Sequence, residues 1–147
     1  MIWRGWALAA LGETAAGLDA IDEGLAAARA TGMEIFRPQI LAMLAEIRGA
    51  AGQVEEALAA TTEGLTLAGS RGECGFASEL YRLRGELLMA QAGRDPARRA
   101  EAVGCLEQAV ADARRQAARA LEERALLSWN RLCGDDANLA SPTGTGT

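Results

Sequence analysis

The chain contains neither histidine nor lysine, and all 15 of its basic residues are arginine. Without histidine it has no Ser-His-Asp or Cys-His pair and no imidazole ligand for a metal. Without lysine it has no Schiff-base chemistry and no complete phosphate-binding loop ending in Gly-Lys-Ser/Thr. Together with abundant alanine, the exclusive use of arginine is most simply the mark of a GC-rich bacterial genome. We therefore expect a protein that is not an enzyme and needs no cofactor and no metal.

Aromatic residues and cysteines are also scarce. Aromatics make up 4% of a 147-residue chain that is half apolar, so most of the apolar content is small. Small side chains let helices approach closely, and no segment alternates apolar and polar residues as a strand does, which predicts an all-α fold. The three cysteines, Cys74, Cys105 and Cys133, are too few and too widely spaced for a disulfide framework or a metal site. They fit small apolar residues in a reducing compartment, and Cys74 has no histidine to activate it as a nucleophile.

No stretch of the chain concentrates charge of one sign. The net charge is -5, and the densest basic stretch, Arg94 to Arg99, is interrupted by Asp95. Nucleic acid is therefore not an expected partner, because phosphate binding requires a basic stripe. No apolar run approaches the length of a membrane span, and the run after Arg4 is too short for a signal peptide. We expect a cytoplasmic protein without a membrane partner.

The feature that is present is an internal repeat, which becomes visible when residues 9–48 are aligned with residues 49–88. A period of 40 residues indicates stacked supersecondary units, each of which buries an apolar face against its neighbours. The matched pairs are Gly12 with Gly52, Leu18 with Leu58, Ala20 with Ala60, Glu23-Gly24-Leu25 with Glu63-Gly64-Leu65, Gly32 with Gly72, and Phe36 with Phe76.

The spacing of apolar residues, together with glycine and proline signals, predicts seven helices. They cover approximately residues 2–11, 14–30, 38–52, 53–68, 75–91, 97–116 and 118–133. Asp95 followed by Pro96 is an N-cap with proline at the first helical position. The residues after Cys133 are rich in glycine and threonine and too polar to pack. The sequence thus predicts a helical-repeat domain over 1–133 and a disordered tail over 134–147.

Within the repeat, small residues recur at equivalent helix positions. These are the places where paired helices are expected to cross most closely, so that a larger side chain would push them apart. Gly85 is one example, and Gly85→Leu should loosen its helix pair. The three equivalent sets are Gly5, Ala45 and Gly85; Gly17, Ala57 and Ala102; and Gly24, Gly64 and Ala109.

This pattern of small residues at crossings and large apolar ones between them resembles tetratricopeptide repeats (TPR). The resemblance covers about residues 1–133 and implies an α-α superhelix of about three helix pairs plus a closing C-terminal helix. The period here is longer than the usual one of such repeats, with an insertion around Arg94 to Arg98. The proline expected after the second helix of each repeat is missing.

A closer likeness is to the C-terminal repeats of large bacterial signalling proteins that carry a class III adenylate or guanylate cyclase domain or a predicted ATPase. It rests on four stretches: Glu79 to Leu88, Ala100 to Ala102, Gln108 to Ala117 and Leu121 to Ala125. The resemblance implies a regulatory segment that interacts with other proteins. It implies no cyclase or ATPase activity for this chain, because neither the cyclase metal-binding aspartates nor Walker A and B motifs are present.

In repeats of this type the first helix of each pair lines the concave face, which is the usual ligand groove. Mixed glutamate and arginine there could hold a protein or peptide through charge-assisted hydrogen bonds. The alternative is a solvated face of helix ion pairs, such as Glu79 with Arg82 at i,i+3 and Arg82 with Glu86 at i,i+4. The residues expected on this face are Gln39, Glu46, Glu79, Arg82, Glu86, Met89, Arg124 and Arg131.

The tryptophans fall into two groups. Trp129 is expected in the core of the last helix, whereas Trp3 and Trp6 lie at the apolar start of the first helix. A capped repeat domain would present a polar surface there. Trp3 and Trp6 therefore suggest either a fragment of a longer protein, which we favour, or a contact between copies. The two functional hypotheses are a non-catalytic scaffold that binds protein or peptide, and a structural module that self-associates through this N-terminal edge.

Overall fold

The computed structural model describes residues 1–32, 35–71, 75–136, 139 and 141–142, and over these residues the fold is all-α. The described residues form seven helices and no strand, and the helix ends agree with the predicted ones to within about one turn. None of these helices combines the length and apolarity that a bilayer crossing requires. The helices are α1 (Ile2–Ala10), α2 (Thr14–Ala30), α3 (Arg37–Ala50), α4 (Val54–Arg71), α5 (Ala77–Ala92), α6 (Pro96–Arg115) and α7 (Arg119–Cys133).

The turns that follow α1 and α3 reproduce the sequence repeat. Between α1 and α2 the amide of Gly12 donates to the carbonyl of Ala9 at 3.0 Å, and one repeat later Gly52 donates to Gly49 at 3.1 Å. Both glycines have left-handed backbones, with φ of 90° and 78°. Glycine adopts this conformation without steric cost, which makes it the usual residue just past a helix. Gly12 and Gly52 therefore occur at these helix ends because the turn requires a left-handed backbone.

The turn between α6 and α7 has the same hydrogen bond without a glycine. The amide of Ala117 donates to the carbonyl of Arg114 at 3.0 Å. Ala117 has φ of 52°, and among the described residues it is the one non-glycine residue with a positive φ. For an L-residue this conformation costs about 1–2 kcal/mol, because the Cβ approaches the following carbonyl oxygen.

Ala117→Gly is expected to raise the free energy of unfolding by about 0.5–1 kcal/mol, because the relief of left-handed strain exceeds the extra entropy that glycine loses on folding. Urea denaturation measures the difference. Ala111→Gly, at an exposed site within α6, is the matched control and should lose about 1 kcal/mol. Equal destabilisation by both variants would contradict this account of the turn.

The N-cap of α6 is as predicted. The carboxylate of Asp95 accepts hydrogen bonds from the amides of Ala97 at 3.0 Å and Arg98 at 3.4 Å, and Pro96 occupies the first turn. This capping satisfies two of the amides that have no partner within the helix.

Residues Met1–Leu67 form one compact unit, in which α3 packs against both α2 and α1. α1 and α2 cross at Gly5 and Gly17: a Cβ on either glycine would lie 2.6 Å from the carbonyl oxygen of the other. The predicted crossing of these two residues is therefore confirmed, and its reason is backbone contact. The largest apolar side chains buried in this unit are Ile21, Leu25, Ile40, Leu41, Leu44 and Ile47.

Residues Ala68–Thr147 form the second unit, in which α5, α6 and α7 pack against one another. A Cβ on Gly85 would lie 2.7 Å from Cγ of Leu106 and 3.1 Å from the carbonyl oxygen of Ala102, which confirms this predicted crossing. Trp129 is 2% exposed and forms a cluster with Val103, Leu106 and Cys133, so its predicted place in the core is also confirmed.

Several residues of the predicted tail contact the second unit. Leu139 packs against the Trp129 cluster, and Arg99 donates to the carboxylate of Asp136 at 3.5 Å. The guanidinium of Arg114 also donates to the carbonyl of Pro142. Most of residues 137–147 lie outside the described part of the chain, and the division at residue 133 stays a prediction.

Candidate functional site

The eight residues predicted for the concave face fall into two groups, one in each unit. Gln39 and Glu46 lie on α3 in the first unit. Those of the second unit are on α5 and α7: Glu79, Arg82, Glu86, Met89, Arg124 and Arg131. The two groups have different surroundings, charged in one unit and apolar in the other.

Arg82 is the centre of an ion-pair network on α5. Its Nε donates to Glu79 Oε2 at 2.9 Å and its Nη2 to Glu79 Oε1 at 2.8 Å, a bidentate pair, while its Nη1 donates to Glu86 Oε1 at 2.8 Å. These are the pairs that the i,i+3 and i,i+4 spacing predicts, and both form. They do not form in the solvated face expected for them, because Glu79 and Arg82 are each only 7% exposed.

α7 supplies the other half of the network. The hydroxyl of Ser128 donates to Glu86 Oε1 at 2.6 Å, and Arg131 pairs with the same oxygen at 2.7 Å. Arg124 pairs with Glu79 Oε1 at 3.0 Å. α5 and α7 are thus joined through both carboxylates, with half or more of each α7 guanidinium side chain exposed. We call Glu79, Arg82, Glu86, Arg124, Ser128 and Arg131 the α5–α7 network.

Ser128 is the member of the network that sequence reasoning missed. The signal for it was available, because Arg124, Ser128 and Arg131 are spaced as one stripe of a helix. Met89, by contrast, was predicted beside these residues and is partly buried against the Trp129 cluster. It faces the packing between helices and does not contribute to the charged network.

In the first unit, Gln39 lines an apolar groove of about 460 Å³ formed by α1, α2 and α3. Among the described residues, the polar side chains of its lining are those of Thr31 and Gln39, and none is charged. The remaining lining residues are Met1, Ile2, Trp3, Gly24, Ala27, Ala28, Phe36, Ile40 and Met43. Trp3 is 67% exposed at its edge. We call this the large groove.

Glu46 lies at a second, smaller groove of about 230 Å³, between the C-terminal halves of α1 and α3. The other lining residues are Trp6, Ala9, Ala10, Thr14, Ile47 and Ala50. Glu46 is the one charged residue in this lining as far as the chain is described, and Trp6 is 45% exposed. We call this the small groove. The two exposed tryptophans of the N-terminal helix therefore line grooves shared with α3.

The two grooves of the first unit correspond in the repeat to the network of the second. Trp6 lines the small groove with Glu46. Two repeats later Trp6 corresponds to Glu86 and Glu46 to Arg131, and these two residues form an ion pair. Ile2 shares the large groove with Met43, which is equivalent to Ser128 once the insertion near Arg94 is allowed for. The second unit thus has mutually paired charges at positions where the first unit has mainly apolar groove residues.

The described cysteines are poor candidates for chemistry. Cys105 and Cys133 are buried free thiols, and burial raises the pKa of each thiol above its usual value. A raised pKa keeps the sulfur protonated and unreactive. Cys74 lies outside the described residues. In the described part of the chain no three acidic or cysteine side chains are close enough to hold a metal ion.

Comparison of the chain with protein-family models, with curated proteins and with solved structures finds no match.

Proposed function

We propose that this chain is a non-catalytic helical-repeat scaffold of the TPR-like type, which binds a protein or peptide segment in the large groove. The proposal includes the role that the sequence resemblance implies, that of the C-terminal regulatory segment of a larger signalling protein of the cyclase or predicted-ATPase type. Its architectural part, a solenoid of about three helix pairs closed by α7, is supported by the repeated turns and by the glycine crossings.

The observation that carries the proposal is the apolar lining of the large groove beside an exposed aromatic. Soluble domains rarely leave an apolar concavity open, and aromatic side chains at its rim are the residues that most often dominate binding energy. Trp3 and Phe36 are both largely exposed and both line this groove. The chemistry that fits it is one bulky apolar side chain, held by shape and burial of area, with Gln39 and Thr31 available for one or two hydrogen bonds.

The α5–α7 network is less suited to be the main binding site. Each of its carboxylates is already paired with two arginines of the same chain. A ligand that paired with the buried Arg82 would have to displace the buried Glu79, which leaves a charge without compensation. The network therefore acts chiefly in stability.

A bulky side chain that fills the large groove should weaken binding of the peptide. Ala28 lines the groove, whereas Ala26 is exposed on the same helix and does not. Twelve-residue peptides selected on the wild-type chain from a random phage library are the probes. We expect Ala28→Phe to weaken their binding at least tenfold and Ala26→Phe to leave it unchanged, as measured by fluorescence anisotropy. Equal affinity for both variants would place the binding site elsewhere.

The alternative is self-association through the N-terminal apolar edge, which the exposure of Trp3 and Trp6 favours. Sedimentation velocity over a concentration series distinguishes the two functions. A chain that stays monomeric at concentrations where the peptides bind supports the scaffold. A tight dimer that Trp3→Ala dissociates would make the groove an interface between copies and contradict the proposal.

A further inference from the structure

We infer that the segment bound by the first unit is an amphipathic α-helix that lies along α1 and α3 and places apolar side chains at positions i and i+7 in the large and small grooves. This inference rests on the proposed function and adds the conformation, spacing and charge of the partner.

The spacing follows from the two linings. On α3 the large groove involves Gln39 and Met43, and the small groove Glu46 and Ala50, so equivalent contacts recur at i and i+7. The start of α1 lines the large groove and its end lines the small groove. α1 and α3 therefore run in the same direction along the two grooves. This separation along a helix is about 10.5 Å, or about two turns. Residues i and i+7 of a parallel or antiparallel partner helix therefore share one face and match the two grooves.

The lining also favours a helix over an extended peptide. An extended segment has backbone N–H and C=O groups that need partners, and leaving them buried without partners is costly. In the described linings the polar side chains are two in each groove: Thr31 and Gln39 in the large, Thr14 and Glu46 in the small. An α-helix satisfies its own backbone and presents only side chains, which suits a surface with so few hydrogen-bonding groups.

Charge sets which end of the partner helix is basic. Glu46 is exposed, belongs to the small groove, and has the one charged side chain among those described in either lining. A basic residue one turn beyond the side chain in the small groove complements it, and an acidic residue there would be repelled. The partner therefore has an apolar stripe with an arginine or lysine at the end that lies over the small groove.

The experiment uses two stapled helical peptides of about six turns each, labelled with fluorescein. The first has leucines at positions 8 and 15 and arginine at position 19; the second has the same composition with leucines at positions 8 and 13, which point to different sides of the helix. We expect the first to bind the full chain at least tenfold more tightly by fluorescence anisotropy. With the unlabelled first peptide, the tryptophan fluorescence of the chain should shift to shorter wavelength as Trp3 and Trp6 become covered.

The charge is tested on the same peptides. Glu46→Arg should weaken the first peptide at least threefold, and Glu23→Arg, an exposed carboxylate on α2 outside both linings, should not. Equal affinity for the two peptides would overturn the inference. If library peptides bind at Ala28 but tolerate proline at every position, the proposed function stands and the helical partner is wrong. Loss of the Ala28→Phe effect would instead contradict the proposed function itself.

Discussion

Arg82→Met should lower the free energy of unfolding of the second unit by about 3–5 kcal/mol, the usual cost of removing one partner from a buried ion pair. Glu79 and Arg82 are each 7% exposed, and Arg82 makes three hydrogen bonds to Glu79 and Glu86. Without the guanidinium, Glu79 keeps the pair with Arg124, whose side chain is half exposed and therefore screened by solvent. Most of the loss comes from a carboxylate left buried with too little compensation.

Two further variants test that explanation. Arg84→Met removes an arginine from the same helix, where it pairs with the exposed Glu101 and lies beside Cys105. It should cost less, about 1 kcal/mol, because solvent reaches Glu101 and screens the pair. Glu79→Leu combined with Arg82→Met removes both buried charges and should recover much of the stability, because apolar replacement of a buried pair is often near neutral. Urea denaturation of all three variants gives the comparison. Equal losses for Arg82→Met and Arg84→Met would show that burial adds nothing to this pair.

Gly85→Leu is expected to destabilise the second unit by about 1–3 kcal/mol through overpacking of the α5–α6 crossing. The new Cβ would lie 2.7 Å from Cγ and 2.9 Å from Cδ2 of Leu106, and 3.1 Å from the carbonyl oxygen of Ala102. Leu106 has no exposed surface, so it cannot move out of the way without disturbing the core. The helices would have to separate, which loses contacts along the whole crossing.

Gly104→Leu is the matched control for this change. Gly104 is an exposed glycine of α6, and a Cβ there would meet nothing within 4 Å. Since leucine favours a helix over glycine, this variant should gain up to about 1 kcal/mol. Thermal unfolding followed by circular dichroism separates the two. An unchanged melting temperature for Gly85→Leu would mean that the repeat does not identify the helix crossings.

Much of the local structure could be predicted from the sequence. Helix ends follow from glycine, proline and capping residues, as the hydrogen bonds at Gly12, Gly52 and Asp95 show. The ion pairs of Arg82 follow from i,i+3 and i,i+4 spacing along one helix. These features depend on residues within one or two turns of each other, so the order of residues contains the information. The repeat also makes the helix crossing at Gly5 predictable from the sequence, because equivalent positions in a repeat have equivalent neighbours.

The candidate sites could be predicted only in part. Glu79 and Arg82 were expected in solvent and are buried, because α7 covers them and supplies Ser128 and Arg131. Burial depends on which helix packs over a residue, and that information is not local. The same limit explains Met89, which lies on the side of α5 that faces the core cluster.

The sequence by itself determined the all-α class, the helix ends and the small residues at the crossings of this protein. Only the tertiary structure decided which polar residues are buried, and that Trp3 and Trp6 border grooves between α1 and α3. It also decided that Ala117 has a left-handed backbone, a conformation that glycine adopts at Gly12, Gly32, Gly52 and Gly93. The physical reason is the range of the forces involved: hydrogen bonds within a turn act between near neighbours in the chain, whereas burial and cavities depend on surfaces brought together from distant segments.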